Sequence, residues 1–177
     1  ELGGKSPCIV DSGVKIDKVA KRIVSGKFVN CGQTCIAPDY IVVNQHIKSN
    51  LISAIKESII KTFGNSPIDS ESYGRIINID NLNRIKNVLK NQKVEFGGKI
   101  SSDRLYVEPT IIIDPDMNSE IMKEEIFGPI LPILSYENES EINDIIDNNP
   151  TPLAFYIFSK NQTFIDNLIE NNKFGGC

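Results

Sequence analysis

"SPCIVD" (Ser6–Asp11) is a short apolar run bounded by Pro7 and Asp11, and it reads as a buried strand. The period then changes. Ile16, Val19, Ala20 and Ile23, with Phe28 further on, recur at helical spacing. An amphipathic helix is therefore predicted over residues 16–30, ended by Gly32. "YIVVNQ" (Tyr40–Gln45) is β-branched and reads as a second strand. Strand, helix and strand in that order set the reading for everything downstream.

The alternation continues. Leu51, Ile52, Ile55 and Ile59 line a helix that stops at Gly64, and "GNSPIDSES" is turn-rich. "GRIIN" (Gly74–Asn78) is expected as a short strand, and Leu82, Ile85, Val88 and Leu89 as a helical stripe. "KVEFGG" and "LYVEPTIII" read as strands separated by a Gly-Gly turn. "EIMKEEIFGP" is expected as a short helix broken at Gly128-Pro129. "ILPILSY" is strand-like, with Pro132 pointing to a sheet edge or a bulge. Ile142, Ile145 and Ile146 mark a helix, "PLAFYIFS" a strand, and Phe164, Ile165, Leu168 and Ile169 a last helix. The expected fold class is α/β: a largely parallel twisted sheet with helices on both faces, in one domain without repeats or linkers.

At 177 residues the chain can bury a substantial core. A net charge of −4 without basic clusters argues against a nucleic-acid partner. No apolar run approaches the roughly 20 residues of a membrane-spanning helix, and no signal-peptide pattern opens the chain. The four cysteines (Cys8, Cys31, Cys35, Cys177) and the single histidine, His46, fit no zinc spacing. No metal site is expected. A disulfide framework is not expected either, so the thiols read as free, in a reducing compartment.

Two stretches carry chemistry. In "CGQTCIAPDY" (Cys31–Tyr40), Cys35 falls in a polar turn between a helix and a strand, held by the scaffold yet accessible. Nearby backbone N–H groups could stabilise a thiolate and later an oxyanion. Residue pattern alone leaves Cys35 open between nucleophile and inert packing thiol, whereas Cys8 and Cys31 read as packing residues. In "ELGGKSP" (Glu1–Pro7), Gly4-Lys5-Ser6 matches the end of a P-loop, but Pro7 and a strand follow where a helix should. The other reading is a Gly-Gly turn with Glu1 on its rim, either a solvated charge or a general base. Taken alone, "EEIFGP" (Glu124–Pro129) is a solvated helix end with a core aromatic, and "EFGGK" (Glu95–Lys99) a hairpin turn. His46, at the end of the second strand, reads as a structural or surface residue.

Together, "ELGGKSP", "GQTC" and "EEIFGP" resemble, in this order, three motifs of the aldehyde dehydrogenase superfamily. "GQTCIAPDY", "YGRIIN" and "PLAFYIFS" look most like its class 3 and fatty-aldehyde branch. The resemblance covers essentially the whole chain. It implies Cys35 as nucleophile, Glu1 as general base, Glu125 on the nicotinamide ribose and Phe127 against the nicotinamide, with NAD or NADP as cofactor. An aldehyde would be captured as a thiohemiacetal, oxidised to a thioester and released as a carboxylic acid.

The resemblance also implies parts that this sequence does not hold. These are a dinucleotide-binding domain with its phosphate loop, an upstream asparagine and C-terminal segments. The expectation is therefore a catalytic domain over residues 1–177, incomplete at its C-terminus and inactive as an isolated chain. The longer parent would be a cytoplasmic homodimer, with membrane association only through a segment beyond Cys177. Two other readings stay open. One is a cysteine-dependent hydrolase or acyltransferase, which would need His46 near Cys35. The other is a non-enzymatic truncated fragment.

Overall fold

The computed structural model describes residues 4–149 and 151–177. Strand β1 (Pro7–Val10) leads into helix α1 (Ile16–Phe28), and a single 3-10 turn (Val29–Gly32) carries the chain to β2 (Tyr40–Asn44). Helix α2 (Lys48–Phe63) packs on α1 and ends at Gly64, whose φ of 81° is open to glycine without strain. Helix α3 (Ile79–Leu89) starts at Asn78, whose side chain accepts from the Asn81 N–H at 2.9 Å. Short strands follow: β3 (Val94–Phe96), β4 (Ile100–Ser101), β5 (Tyr106–Val107) and β6 (Thr110–Ile113). The one-turn helix α4 (Glu120–Lys123) precedes β7 (Ile130–Tyr136), and α5 (Glu139–Ile146), β8 (Tyr156–Phe158) and α6 (Gln162–Asn171) complete the order.

The main sheet has six strands in the order β3-β6-β7-β2-β1-β8. All pairs are parallel except β3–β6, and β4 and β5 form a separate antiparallel ribbon. In β1 every residue is buried, as are the first four of β2 and the first five of β7. Successive strand side chains point to opposite faces, so complete burial means that both faces of the sheet centre are covered. The expected fold class is the one observed.

Four local expectations are corrected. "GRIIN" forms no strand and bends at Ile77–Asn78: the Ile76 N–H goes to the Leu105 carbonyl (2.8 Å) and the Ile77 N–H to Gln33 Oε1 (2.9 Å). The Gly-Gly turn is present, with φ of 77° at Gly97 and 92° at Gly98, but it is not a hairpin. The strands on its two sides, β3 and β4, belong to different sheets, and "LYVEPTIII" is split into β5 and β6 at Glu108-Pro109. The helix in "EIMKEEIFGP" stops at Lys123, and Glu125–Phe127 are irregular. Pro132 is at neither an edge nor a bulge, because β7 is flanked by β6 and β2. The N–H it withholds from the ladder costs about 1 kcal/mol. Full burial of Ile130, Leu131 and Ile133 outweighs this at roughly 1.5–3 kcal/mol each.

Candidate active site

Three loops meet at the amino ends of adjacent parallel strands. Gly4–Ser6 leads into β1, Gln33–Asp39 into β2 and Glu124–Pro129 into β7. Cys35 sits in the second loop with its side chain exposed, in a turn closed by the Ala37 N–H donating to the Thr34 carbonyl (3.0 Å). Cys8 and Cys31 are fully buried and Cys177 is exposed. Burial pushes the Cys31 thiol up to about 11, and Cys31 Sγ lies 3.5 Å from the Tyr73 hydroxyl. Cys8 and Cys31 are thus packing thiols, as read from the sequence. Glu1 lies outside the described residues.

The approach to Cys35 is bent. Asn30, Cys31 and Gly32 all have positive φ (51°, 58° and 71°), a left-handed turn that only glycine adopts freely. Gln33 holds it. Its Nε2 donates to the carbonyls of Asn30 (3.0 Å) and Arg75 (2.9 Å), while its Oε1 accepts the Ile77 N–H. At Gly32 a side chain would strike the Gly128 carbonyl, so the second and third loops touch backbone to backbone.

Gly4 brings the first loop in equally closely. A Cβ there would overlap the Glu125 carboxylate and lie 2.8 Å from the Cys35 carbonyl oxygen. Glu125 is thus beside the Cys35 loop, although no sequence periodicity links the two. Its Oε1 is buried and has no hydrogen-bond partner among the described residues. Burial raises its pKa, with the Asp39 charge adding, while the Gly4 N–H, Lys27 and Lys5 oppose. Phe127 has a φ of 43°, strained for a bulky residue, and is 39% exposed. From α3, Arg84 donates to the Ile126 carbonyl (2.6 Å), and Ile85 leaves no room for a side chain at Gly128.

Beneath the loops is a buried knot of charge. Lys5 Nζ donates to Asp39 Oδ2 (2.5 Å) and to the Ile121 carbonyl (2.6 Å). Asp39 Oδ1 accepts the Ile126 N–H at 3.1 Å and lies 4.0 Å from Lys27 Nζ. The Asp39 N–H donates to the Ser6 carbonyl at 2.8 Å. One carboxylate therefore ties together all three loops. Lys5, given to a possible phosphate loop by its motif, is an internal cation, and a strand follows it. Asp39, Lys27, Lys5 and Arg84 were not anticipated. Lys27 alone left a sequence signal, since it continues the Ile16–Ile23 stripe on the buried face of α1.

His46 is at the other end of the sheet. It follows β2, whose five residues put about 16 Å between it and the Cys35 loop. A broad polar cleft lined by Asp80, Arg84, Asn87, Ser119 and Glu124 runs beside α3, and Cys35 is not among its walls. Among the described residues no group of three or more His, Cys, Asp or Glu side chains is placed to hold a metal, and no helix is long and apolar enough to cross a membrane.

Residues 1–177 match the aldehyde dehydrogenase family model throughout. The chain belongs to the aldehyde dehydrogenase family. Aldehyde dehydrogenase family 3 member A2 of Mus musculus is 44% identical over 176 residues, 99% of this chain and 36% of its own length. The dimeric NADP-preferring aldehyde dehydrogenase of Rattus norvegicus is 42% identical over 99% of this chain and 39% of its own length. Among solved structures, the substrate-bound state of Staphylococcus aureus AldH superposes with a TM-score of 0.95 at 41% identity. That superposition covers 99% of this chain and 39% of the other. The chain thus spans under two-fifths of the length of these aldehyde dehydrogenases.

Proposed function

We propose that, within a protein of its relatives' length, this chain supplies the thiol-bearing part of an NAD(P)-dependent aldehyde dehydrogenase. One observation carries the reading. An exposed cysteine is held on a strained loop against a glycine-only contact and a carboxylate whose buried oxygen lacks a partner among the described residues.

Cys35 Sγ attacks the aldehyde carbon, forming a C–S bond and an oxyanion. NAD or NADP, held by Glu125 and Phe127, would supply the hydride acceptor for the oxidation of thiohemiacetal to thioester. Glu1 acts as general base toward water, whose attack breaks the C–S bond, releases the carboxylate and restores the thiol. Glu125 and Phe127 suit the cofactor. An unpartnered carboxylate oxygen fits a ribose hydroxyl, and a presented aromatic ring fits the nicotinamide edge. Ile36 and Ile77, 51% and 72% exposed near the thiol loop, favour aldehydes with an apolar chain. A homodimer in a reducing, cytoplasmic setting, where Cys35 stays a free thiol, completes the proposal. His46, remote along β2, gives the cysteine-hydrolase reading no support.

The test is C35S in the parent enzyme. Aldehyde oxidation should fall on the order of 10⁴-fold or more, and acylation by an activated ester should vanish. Acylation that persists in C35S would remove Cys35 from the mechanism. Protection of Cys35 from iodoacetamide by an aldehyde substrate gives a second, independent readout.

A further inference from the structure

The turn that presents Cys35 buries little: Cys35 and Ile36, its two central residues, are both exposed. Packing therefore does not orient it, and hydrogen bonds must. Gln33 holds its approach, and Asp39 its exit toward β2. Between them one peptide group, Ile36–Ala37, decides which way the turn faces. Its N–H closes the turn on the Thr34 carbonyl (3.0 Å), and its C=O accepts from the Tyr156 hydroxyl at 2.5 Å. A peptide group is planar, so holding both ends fixes the plane. Among the described residues no other donor reaches the Ile36 carbonyl.

Tyr156 acts from 120 positions away and from a rigid base. It lies on β8 in parallel register with Cys8 of β1. The segment that enters β8 is itself tied to the first loop, where the Ala154 N–H donates to Ser6 Oγ (3.2 Å). Phe155, between these two contacts, is fully buried, and its N–H donates to the Gly176 carbonyl (2.9 Å). Burial, with Cys8 and Cys35 adding, raises the Tyr156 pKa above the phenol value of 10.0, so the hydroxyl remains a donor in neutral solution. A phenylalanine would fill the same place on this edge strand. What the hydroxyl adds, among the described residues, is its bond to the Cys35 turn.

We propose that Tyr156 is a positioning residue for Cys35: by holding the Ile36–Ala37 peptide to β8, its hydroxyl sets the direction from which the sulfur meets the carbonyl carbon of the substrate. This role rests on Cys35 being the nucleophile. The phenol exchanges no proton with the substrate and acts only through the backbone of the turn. Without it the turn keeps its internal bond and loses its attachment to the sheet. A displacement of about 1 Å at the sulfur is enough to slow attack by about 100-fold.

The experiment is rapid-mixing measurement of acylation by nitrophenyl acetate in the parent enzyme, as wild type, Y156F and C35S. The Cys35 sulfur takes the acetyl group and nitrophenolate leaves. The size of the burst counts the competent sites, and its rate constant reports how well each is aligned. Y156F should give a burst of wild-type size with a rate constant lower by about tenfold or more. Its NADH affinity, read by fluorescence titration, should be unchanged. A burst of wild-type size and rate in Y156F, with none in C35S, overturns the role of Tyr156 alone. A burst that shrinks or disappears in Y156F makes the hydroxyl a structural prop and also overturns it. Weakened NADH binding in Y156F would place the effect at the cofactor and overturn it as well. A burst that persists in C35S removes Cys35 from the chemistry and the proposal with it.

Discussion

Asp39 is the residue on which the site's geometry depends. It receives Lys5, approaches Lys27, caps the Ile126 amide and anchors to Ser6, all while 3% exposed. Replacing it with asparagine keeps the shape and removes the charge, leaving two ammonium groups without compensation in a dry setting. We expect D39N to lose about 3–5 kcal/mol of stability, read from the shift of its urea midpoint at unchanged slope. Little of this was legible beforehand. The place of Cys35 between helix and strand, and the packing roles of Cys8 and Cys31, follow from local pattern. The knot does not, because Lys5 finds Asp39 across 34 positions and the Ile121 carbonyl across 116. Pairing at such separations leaves no period to read.

At the scale of elements, the segment Gly74–Asn78 shows why β-branched composition is not enough. A strand needs a neighbour, and here the Ile77 donor is taken by a side chain, Gln33. Pro132 makes the complementary point: sequence places proline at edges, yet burial of the residues around it keeps β7 in the interior. The helix in "EIMKEEIFGP" stops where Arg84 and Asp39 claim the backbone of Glu125–Phe127. In each case a tertiary partner overrides a correct local preference. Gln33 is the element-level test. Q33A removes three bonds, two of which join the Cys35 loop to the Arg75–Ile77 segment. Hydrogen exchange at the Ile77 amide should rise toward the unprotected rate, with a stability loss of about 1–3 kcal/mol. Protection that survives in Q33A would mean that the segment is held by other contacts.

The molecule as a whole holds many acids in their neutral forms. Burial pushes Cys8 and Cys31 above the ordinary thiol value of 9.0, and Tyr40, Tyr73, Tyr106 and Tyr136 above the phenol value of 10.0. An unfolded chain would release these protons first, so the stability they hold is full below about pH 9 and drains as pH rises. Lys27 works the other way: its pKa falls from 10.5 to about 8, so its contribution to stability rises across that window. Tyr156 and Cys177 are pushed up in the same way, so among the described residues eight groups act against one, and denaturant midpoints should fall steeply above about pH 10. A midpoint that stays flat from about pH 8 to about pH 11 would contradict the burial of these side chains. At this scale the alternation of strands and helices was enough to read the parallel sheet. The order β3-β6-β7-β2-β1-β8 was not readable, because it is set by crossovers rather than by adjacency.

The ties that converge on Asp39 also have a consequence for biosynthesis. The strand that follows Cys35 leaves the ribosome before the Ile126 amide that braces its loop through Asp39. In a nascent polypeptide the turn that carries Cys35 therefore stays unbraced until translation has passed the third loop.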